Sequence, residues 1–148
     1  MIENQFVMIK PNAIKRGLIG RIIEKYENKG LKIVALKIIQ MKESQAQALY
    51  QEHEKKDFYP SLVDFILSGP VIVMIVRGPN AVQAVRQING ATDPLEADVG
   101  SIRGKFGLTI TKNIVHASDS RENAEREWRI FFDEQEIVNY SLIGENEL

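Results

Sequence analysis

Val71-Ile72-Val73-Met74-Ile75-Val76 is an unbroken apolar run. Ser68-Gly69-Pro70 closes the segment before it, and Gly78-Pro79 follows shortly after. β-Branched residues dominate it, so it reads as the clearest strand in the chain. A strand apolar on both faces has to be covered on both faces. That single requirement calls for a sheet with this strand inside it and helices packed over it.

The rest of the chain supplies those parts. Phe6-Val7-Met8-Ile9 is a short strand stopped by Lys10-Pro11, because proline cannot donate to a ladder and disfavours helix at the residue before it. Lys10 then stands at the strand's C-terminal end, where ligand sites gather in sheets backed by helices. After Gly17, Leu18, Ile19, Ile22, Ile23 and Tyr26 line one side of a helix, with Arg21, Glu24, Lys25 and Lys29 opposite and Gly30 as its stop. Residues 31–41 form a second strand. Ser44 caps a short helix through Tyr50, a polar segment covers 51–59, and Pro60 opens another helix. Gly78-Pro79 starts a helix that buries Ala81, Val82, Val85 and Ile88 and ends at Asn89-Gly90. Residues 91–112 show little regular pattern. A strand follows at 110–115, then a helix at 121–132 with Ala124, Trp128, Phe131 and Phe132 as its buried face. The tail, 139–148, is polar and expected to be loosely held.

Strand, helix, strand, helices, strand, helix, strand, helix is the order of an α+β sandwich of ferredoxin-like type. We expect one domain over residues 1–148, built as a four-stranded antiparallel sheet covered by helices. A chain of 148 residues is long enough to bury about 68–70% of its unfolded surface. Its net charge of -1 comes with no basic block, which argues against a nucleic-acid footprint. It has no cysteine, so thiolate catalysis and disulfides are excluded. No apolar run approaches the ~20 residues of a membrane helix, and the first residues lack the character of a signal peptide. The expectation is a cytoplasmic protein.

The chemistry concentrates at Asn113-Ile114-Val115-His116-Ala117-Ser118-Asp119-Ser120. Ser118, Asp119 and Ser120 are each good helix N-caps. His116 is therefore expected in the loop between a strand end and a helix start, where backbone N–H groups favour anions. An ordinary connection with a surface histidine is the plainer alternative. Glu127 falls on the apolar stripe of the following helix and needs a partner there. His116 is a natural one, although solvent or an arginine would also serve. No phosphate-binding Gly-x4-Gly-Lys-Ser/Thr, no GxGxxG and no GxSxG occurs. Of the two histidines, His53 sits in a charged segment and reads as solvated, with a minor role beside a ligand open to it. A histidine ordinarily titrates near 6.5, so a neutral nucleophilic imidazole is available at neutral pH, and His116 is the better candidate.

Taken in order, these residues resemble the nucleoside diphosphate kinase family along nearly the whole chain. The likeness rests on Ile9-Lys10-Pro11-Asn12, Gln40-Met41, Tyr50 with Phe58, Ser68-Gly69-Pro70-Val71 and Arg86. It continues through Gly90-Ala91-Thr92-Asp93-Pro94, Ser101-Ile102-Arg103-Gly104, the 113–120 stretch and Ala124-Glu125-x-Glu127. The resemblance implies transfer of the terminal phosphate of a nucleoside triphosphate to a nucleoside diphosphate. The route is ping-pong, through a phosphohistidine, with magnesium carried mainly by the nucleotide phosphates and no protein metal site. It implies that His116 is phosphorylated and that Glu127 orients its ring. Lys10, Tyr50, Arg86, Thr92, Arg103 and Asn113 would contact phosphates or ribose, and Phe58, with Leu62 and Ile110, would stack on the base. It also implies a homo-oligomer, tetramer or hexamer, with contacts built by 91–112.

The chain departs from the family pattern at a few positions. Ala117 replaces a usual Gly and would crowd the turn if its φ were positive. Asp57 and Val99 replace usual prolines, Trp128 an aliphatic residue, and Phe131-Phe132 a Trp-Phe pair. None removes a catalytic side chain. A nucleotide-binding scaffold and an RNA-binding module rank below the kinase.

Overall fold

The computed structural model describes residues 1–147. Four strands, β1 (Ile2–Ile9), β2 (Lys32–Ile39), β3 (Val71–Pro79) and β4 (Val115–Ala117), form one sheet in the order β2-β3-β1-β4. Every neighbouring pair is antiparallel. This is the ferredoxin-like α+β sandwich that the order of elements predicts.

The 71–76 run is interior, as its two-faced apolarity requires. Met74 and Val76 point into one layer with Val7, Ile9, Ile22, Tyr26, Val85 and Ile102. Val73 and Ile75 point into the other with Phe6, Met8, Leu49, Ile66, Trp128 and Phe131. The period-2 alternation of β1 and β3 thus feeds two cores. Trp128 is nearly fully buried, donates its indole N–H to Glu125 Oε2 at 3.1 Å and carries the Arg129 guanidinium 4.3 Å above its ring. The substituted aromatics at 128, 131 and 132 pack together in this layer.

The helices are α1 (Pro11–Lys15), α2 (Ile19–Asn28), α3 (Glu43–Leu49), α4 (Tyr59–Ile66), α5 (Ala81–Asn89), α6 (Ile102–Phe106) and α7 (Arg121–Phe131). Several boundaries differ from the sequence expectation. Pro11 both stops β1 and opens α1, because its missing N–H is one that a first helical turn leaves unpaired anyway. Ser44 lies inside α3. The helix starts one residue after Lys42, whose N–H is held by the Gln45 side chain at 2.9 Å. Pro79 ends β3 opposite Ile2 rather than opening a helix, and Asn80, at φ +51°, turns the chain into α5.

Two larger differences bear on the site. The 91–112 segment contains α6, capped by Ser101 Oγ accepting from the Gly104 N–H at 3.0 Å. The last strand is not 110–115 but the three residues Val115–Ala117. Ile114 breaks it with φ +79°, and the Val115 N–H closes back on the Asn113 carbonyl at 2.9 Å, a γ-turn. The tail is also tied down. The Val138 N–H bonds the Val34 carbonyl at 2.8 Å and the Tyr140 hydroxyl the Ile33 carbonyl at 2.6 Å. Lys32 reaches the Tyr140 carbonyl at 2.6 Å and pairs with Glu145 at 2.8 Å. Edge strand β2 has backbone groups to spare, and a polar tail satisfies some of them. Leu148 lies outside the described residues.

Candidate active site

A cavity of about 550 Å³ opens where the C-terminal end of β1, strand β4, the α3–α4 region and the 91–112 segment meet. It brings together Lys10, Tyr50, Phe58, Leu62, Arg86, Thr92, Arg103, Ile110, Asn113, His116 and Glu127. Every site residue expected from sequence lines it.

His116 sits in the middle of β4, paired with Met8 of β1, rather than in the loop after a strand. The strand fixes its backbone while the side chain stays 19% exposed. Nε2 lies 2.6 Å from Glu127 Oε1. Glu127 is 3% exposed, as its place on the buried stripe of α7 requires. The same carboxylate oxygen accepts from the Ser118 hydroxyl at 2.8 Å, and Arg126 stands 3.6 Å from the other oxygen. A carboxylate on Nε2 favours the proton there and leaves Nδ1 with its lone pair. Tyr50 meets the imidazole edge-on at 5.8 Å and Phe6 packs at 5.9 Å, so the ring has little freedom to turn.

Sequence reasoning missed the bond between Ser118 and Glu127. It read Ser118 as one of three equivalent caps, but Ser120 is the cap, accepting from the Asn123 N–H at 3.1 Å. Nothing in the spacing separates the two serines. Their difference is which one faces α7. Ala117 is not among the positive-φ residues, so its methyl does not crowd the turn.

Lys10 is 5% exposed and donates to Asn113 Oδ1 at 2.6 Å. Burial, and then the charge of Arg103, push it down from 10.5 to about 7. Asn113 in turn donates to the Thr92 carbonyl at 3.0 Å, which ties the γ-turn to the start of the 91–112 segment. The Lys10 N–H bonds the Ile114 carbonyl at 2.9 Å. A β-branched residue at positive φ is costly and persists only when its surroundings hold it. Here the fully buried Ile114 side chain and these backbone bonds do so.

Arg103 is not a solvated loop side chain. Its guanidinium donates to the carbonyls of Asn113 at 3.2 Å, Gly90 at 2.7 Å and Val115 at 2.7 Å. Of five N–H donors, three are spent on backbone and two remain. Burial lowers its own value to about 10. Gly90, at φ +87°, adopts a backbone that favours glycine. The Tyr50 hydroxyl is buried without a protein partner among the described residues. Burial, then Glu127, raises its value above the ordinary range.

At the mouth, Phe58 is 50% exposed and Ile110 58% exposed. The His53 ring lies 5.4 Å from Phe58, and Lys56 Nζ sits 3.0 Å from His53 Nδ1. Burial first, then Lys56, lowers the His53 value. His53 therefore belongs to the cavity rim, the minor place that sequence left open to it.

An imidazole held by a buried carboxylate, in one cavity with a lysine and two arginines, suits transfer of an anionic group. Comparison with known proteins names the family. The profile described as "Nucleoside diphosphate kinase" matches residues 3–137. The chain belongs to the nucleoside diphosphate kinase family. It is 57% identical over 146 residues to the nucleoside diphosphate kinase of Kosmotoga olearia, covering 99% of each chain. It is 54% identical to that of Thermosipho africanus over 95% of this chain and 96% of the relative. Among solved structures, a halophilic nucleoside diphosphate kinase from Halobacterium salinarum in complex with CDP superposes with TM-score 0.95. That chain is 42% identical, with 99% and 98% of the two chains covered. A family protein from Babesia bovis gives 0.94 at 40% identity, covering 98% of each. A nucleoside diphosphate kinase is a phosphotransferase, and the cavity's cationic lining suits such chemistry.

Proposed function

We propose that this chain moves the terminal phosphoryl group of a nucleoside triphosphate to a nucleoside diphosphate through His116. Nδ1 attacks the γ-phosphorus as the bond to the β-bridging oxygen breaks, and the diphosphate leaves with that oxygen. The phosphohistidine is then attacked by a terminal oxygen of a second diphosphate, which restores the imidazole. Glu127 holds Nε2 and stabilises the charge that the ring gains on phosphorylation. The observation that carries this reading is the 2.6 Å contact between Nε2 and Glu127, which leaves Nδ1 of this cavity-lining histidine available.

The phosphoryl group in flight carries spread negative charge, so positioning and charge stabilisation do most of the work. Arg86 and the two unspent donors of Arg103 suit phosphate oxygens. Lys10 supplies a point charge close to His116, and Tyr50 and Thr92 supply hydroxyls. Asn113 holds Lys10 and reaches toward the ribose. Phe58 stacks on the base with Leu62 and Ile110 beside it. Stacking reads no base edge, which accounts for broad base tolerance.

Kinases of this kind work with a divalent cation, and we propose Mg2+. The described residues hold no group of three or more His, Cys, Asp or Glu that could bind it. The cationic lining fits a cation that enters on the nucleotide phosphates instead, where it neutralises phosphate charge. Within the chain, Lys10, Arg86 and Arg103 hold the phosphates against Nδ1.

We further propose that the chain acts as one domain in the cytoplasm, within a homo-oligomer of four or six copies. No described helix is long and apolar enough to cross a membrane. Leu95, Val99 and Leu108 are exposed by 75%, 84% and 71% in the segment expected to build subunit contacts.

The test is incubation with terminally radiolabelled ATP, removal of free nucleotide, and addition of unlabelled GDP. Acid-labile label on the protein that passes to GTP is the expected result. Well-folded protein that takes up no label would overturn the proposal.

A further inference from the structure

Gln5 lies two hydrogen bonds from Glu127, through Ser118, and is completely buried, at 0% exposure. Sequence gave it no role. Strands β1 and β4 pair Ile9 with Val115, Met8 with His116 and Val7 with Ala117. Continued by one residue, the ladder sets Phe6 opposite Ser118. The Ser118 N–H does donate to the Phe6 carbonyl, at 3.2 Å. In an antiparallel ladder a hydrogen-bonded pair exchanges two such bonds. The return bond would run from the Phe6 N–H to the Ser118 carbonyl.

The carboxamide of Gln5 stands in its place. The Phe6 N–H donates to Gln5 Oε1 at 3.0 Å, and Gln5 Nε2 donates to the Ser118 carbonyl at 2.7 Å. A side-chain amide has the same donor and acceptor as a peptide, so both backbone groups remain satisfied. One bond of this rung is therefore direct, and the other runs through the Gln5 carboxamide, so the Phe6 N–H and the Ser118 carbonyl do not meet. Ser118 carries the bridged carbonyl, and it is fully buried. Its hydroxyl donates to Glu127 Oε1, the oxygen that holds His116.

We propose that Gln5 is a positioning residue for the phosphoryl-transfer step. Its inserted carboxamide sets the depth of Ser118, which aims the carboxylate of Glu127 and thereby the imidazole of His116. Removing the carboxamide lets Phe6 and Ser118 close into a direct rung. The Ser118 hydroxyl then withdraws from Glu127, and the ring loses part of its alignment. Gln5 does not line the cavity, so the effect falls on the transfer step and not on binding. This inference rests on His116 being the nucleophile.

The test compares Gln5→Ala, Ser118→Ala and the double variant. Single-turnover phosphorylation by ATP is followed at saturating nucleotide, and GDP affinity is measured alongside. Displacements of about 1 Å at a reacting group cost up to 10²-fold. We expect Gln5→Ala to slow phosphorylation by roughly tenfold within that limit, with GDP affinity unchanged. In the double variant the rate matches Ser118→Ala alone, because the hydroxyl through which Gln5 acts is already gone. Gln5→Met fills the same volume without the amide and gives the same pattern should the alanine variant not fold. An unchanged rate in a folded Gln5 variant overturns the inference. So does a double variant in which the two losses multiply, or a loss seen in GDP affinity and not in rate. Failure of the underlying reading looks different, because His116→Asn would then still phosphorylate GDP.

Discussion

At the scale of single residues, Arg103 gives a prediction that reverses what its sequence context suggests. In a solvated loop, Arg103→Ala would slow transfer and leave folding almost untouched. With three backbone carbonyls on its guanidinium, the same change leaves buried acceptors unpaired. We expect it to lower stability by roughly 2–4 kcal/mol as well as activity, which denaturant unfolding beside a turnover assay will show. Lys10 gives a pH signature. Its value is held at about 7 in the folded chain against an ordinary 10.5, so the unfolded chain binds more protons between those values. Its contribution therefore makes stability rise with pH from about 7 toward 10.5. Anionic phosphates restore its charge. Nucleotide binding at pH 8 should take up a proton, measured by calorimetry in buffers of different ionisation enthalpy, and Lys10→Gln should abolish that uptake. His116→Asn should eliminate acid-labile label while GDP affinity stays largely intact, since the proposed base stacking falls on Phe58 and not on the imidazole.

At the scale of elements, the 91–112 segment is the part whose shape depends most on close backbone approach. A Cβ at Gly104 would run into the Asp98 carbonyl oxygen, at the very turn where Ser101 caps α6. Backbone cannot rotate away as a flexible side chain can. Gly104→Ala should cost about 1–3 kcal/mol and weaken nucleotide binding, because α6 carries Arg103. Thermal unfolding and GDP affinity check the two halves. Strand β4 is short for a related reason. The γ-turn at Ile114 aims Asn113 at Lys10 and Thr92 and lets the strand start only at Val115. The periodicity of Ile110 through Val115 gave no sign of that turn, since Ile favours strand and a positive φ at a β-branched residue is held by tertiary packing alone.

At the scale of the whole molecule, the apolar side chains exposed at 95, 99 and 108 belong to the proposed assembly. Leu95→Glu combined with Val99→Glu should shift the chain toward smaller species by light scattering. The isolated fold should survive, because these side chains are not part of either core layer.

The sequence alone determined the sheet, its interior strand, the two apolar layers and the membership of the cavity. Apolar periodicity, proline and glycine punctuation and the ordered family motifs are local signals, and local signals are written along the chain. It also determined that Glu127 needed a partner, because a carboxylate on a buried helical stripe cannot stay alone. The rest was decided in three dimensions. Which serine caps α7 and which one holds Glu127, how Arg103 spends its donors, where β4 begins, how the tail binds β2 and what Gln5 replaces all depend on residues distant in sequence. A hydrogen bond forms where donor and acceptor meet in space, and between positions 5 and 118 or 10 and 113 only the folded chain brings them together.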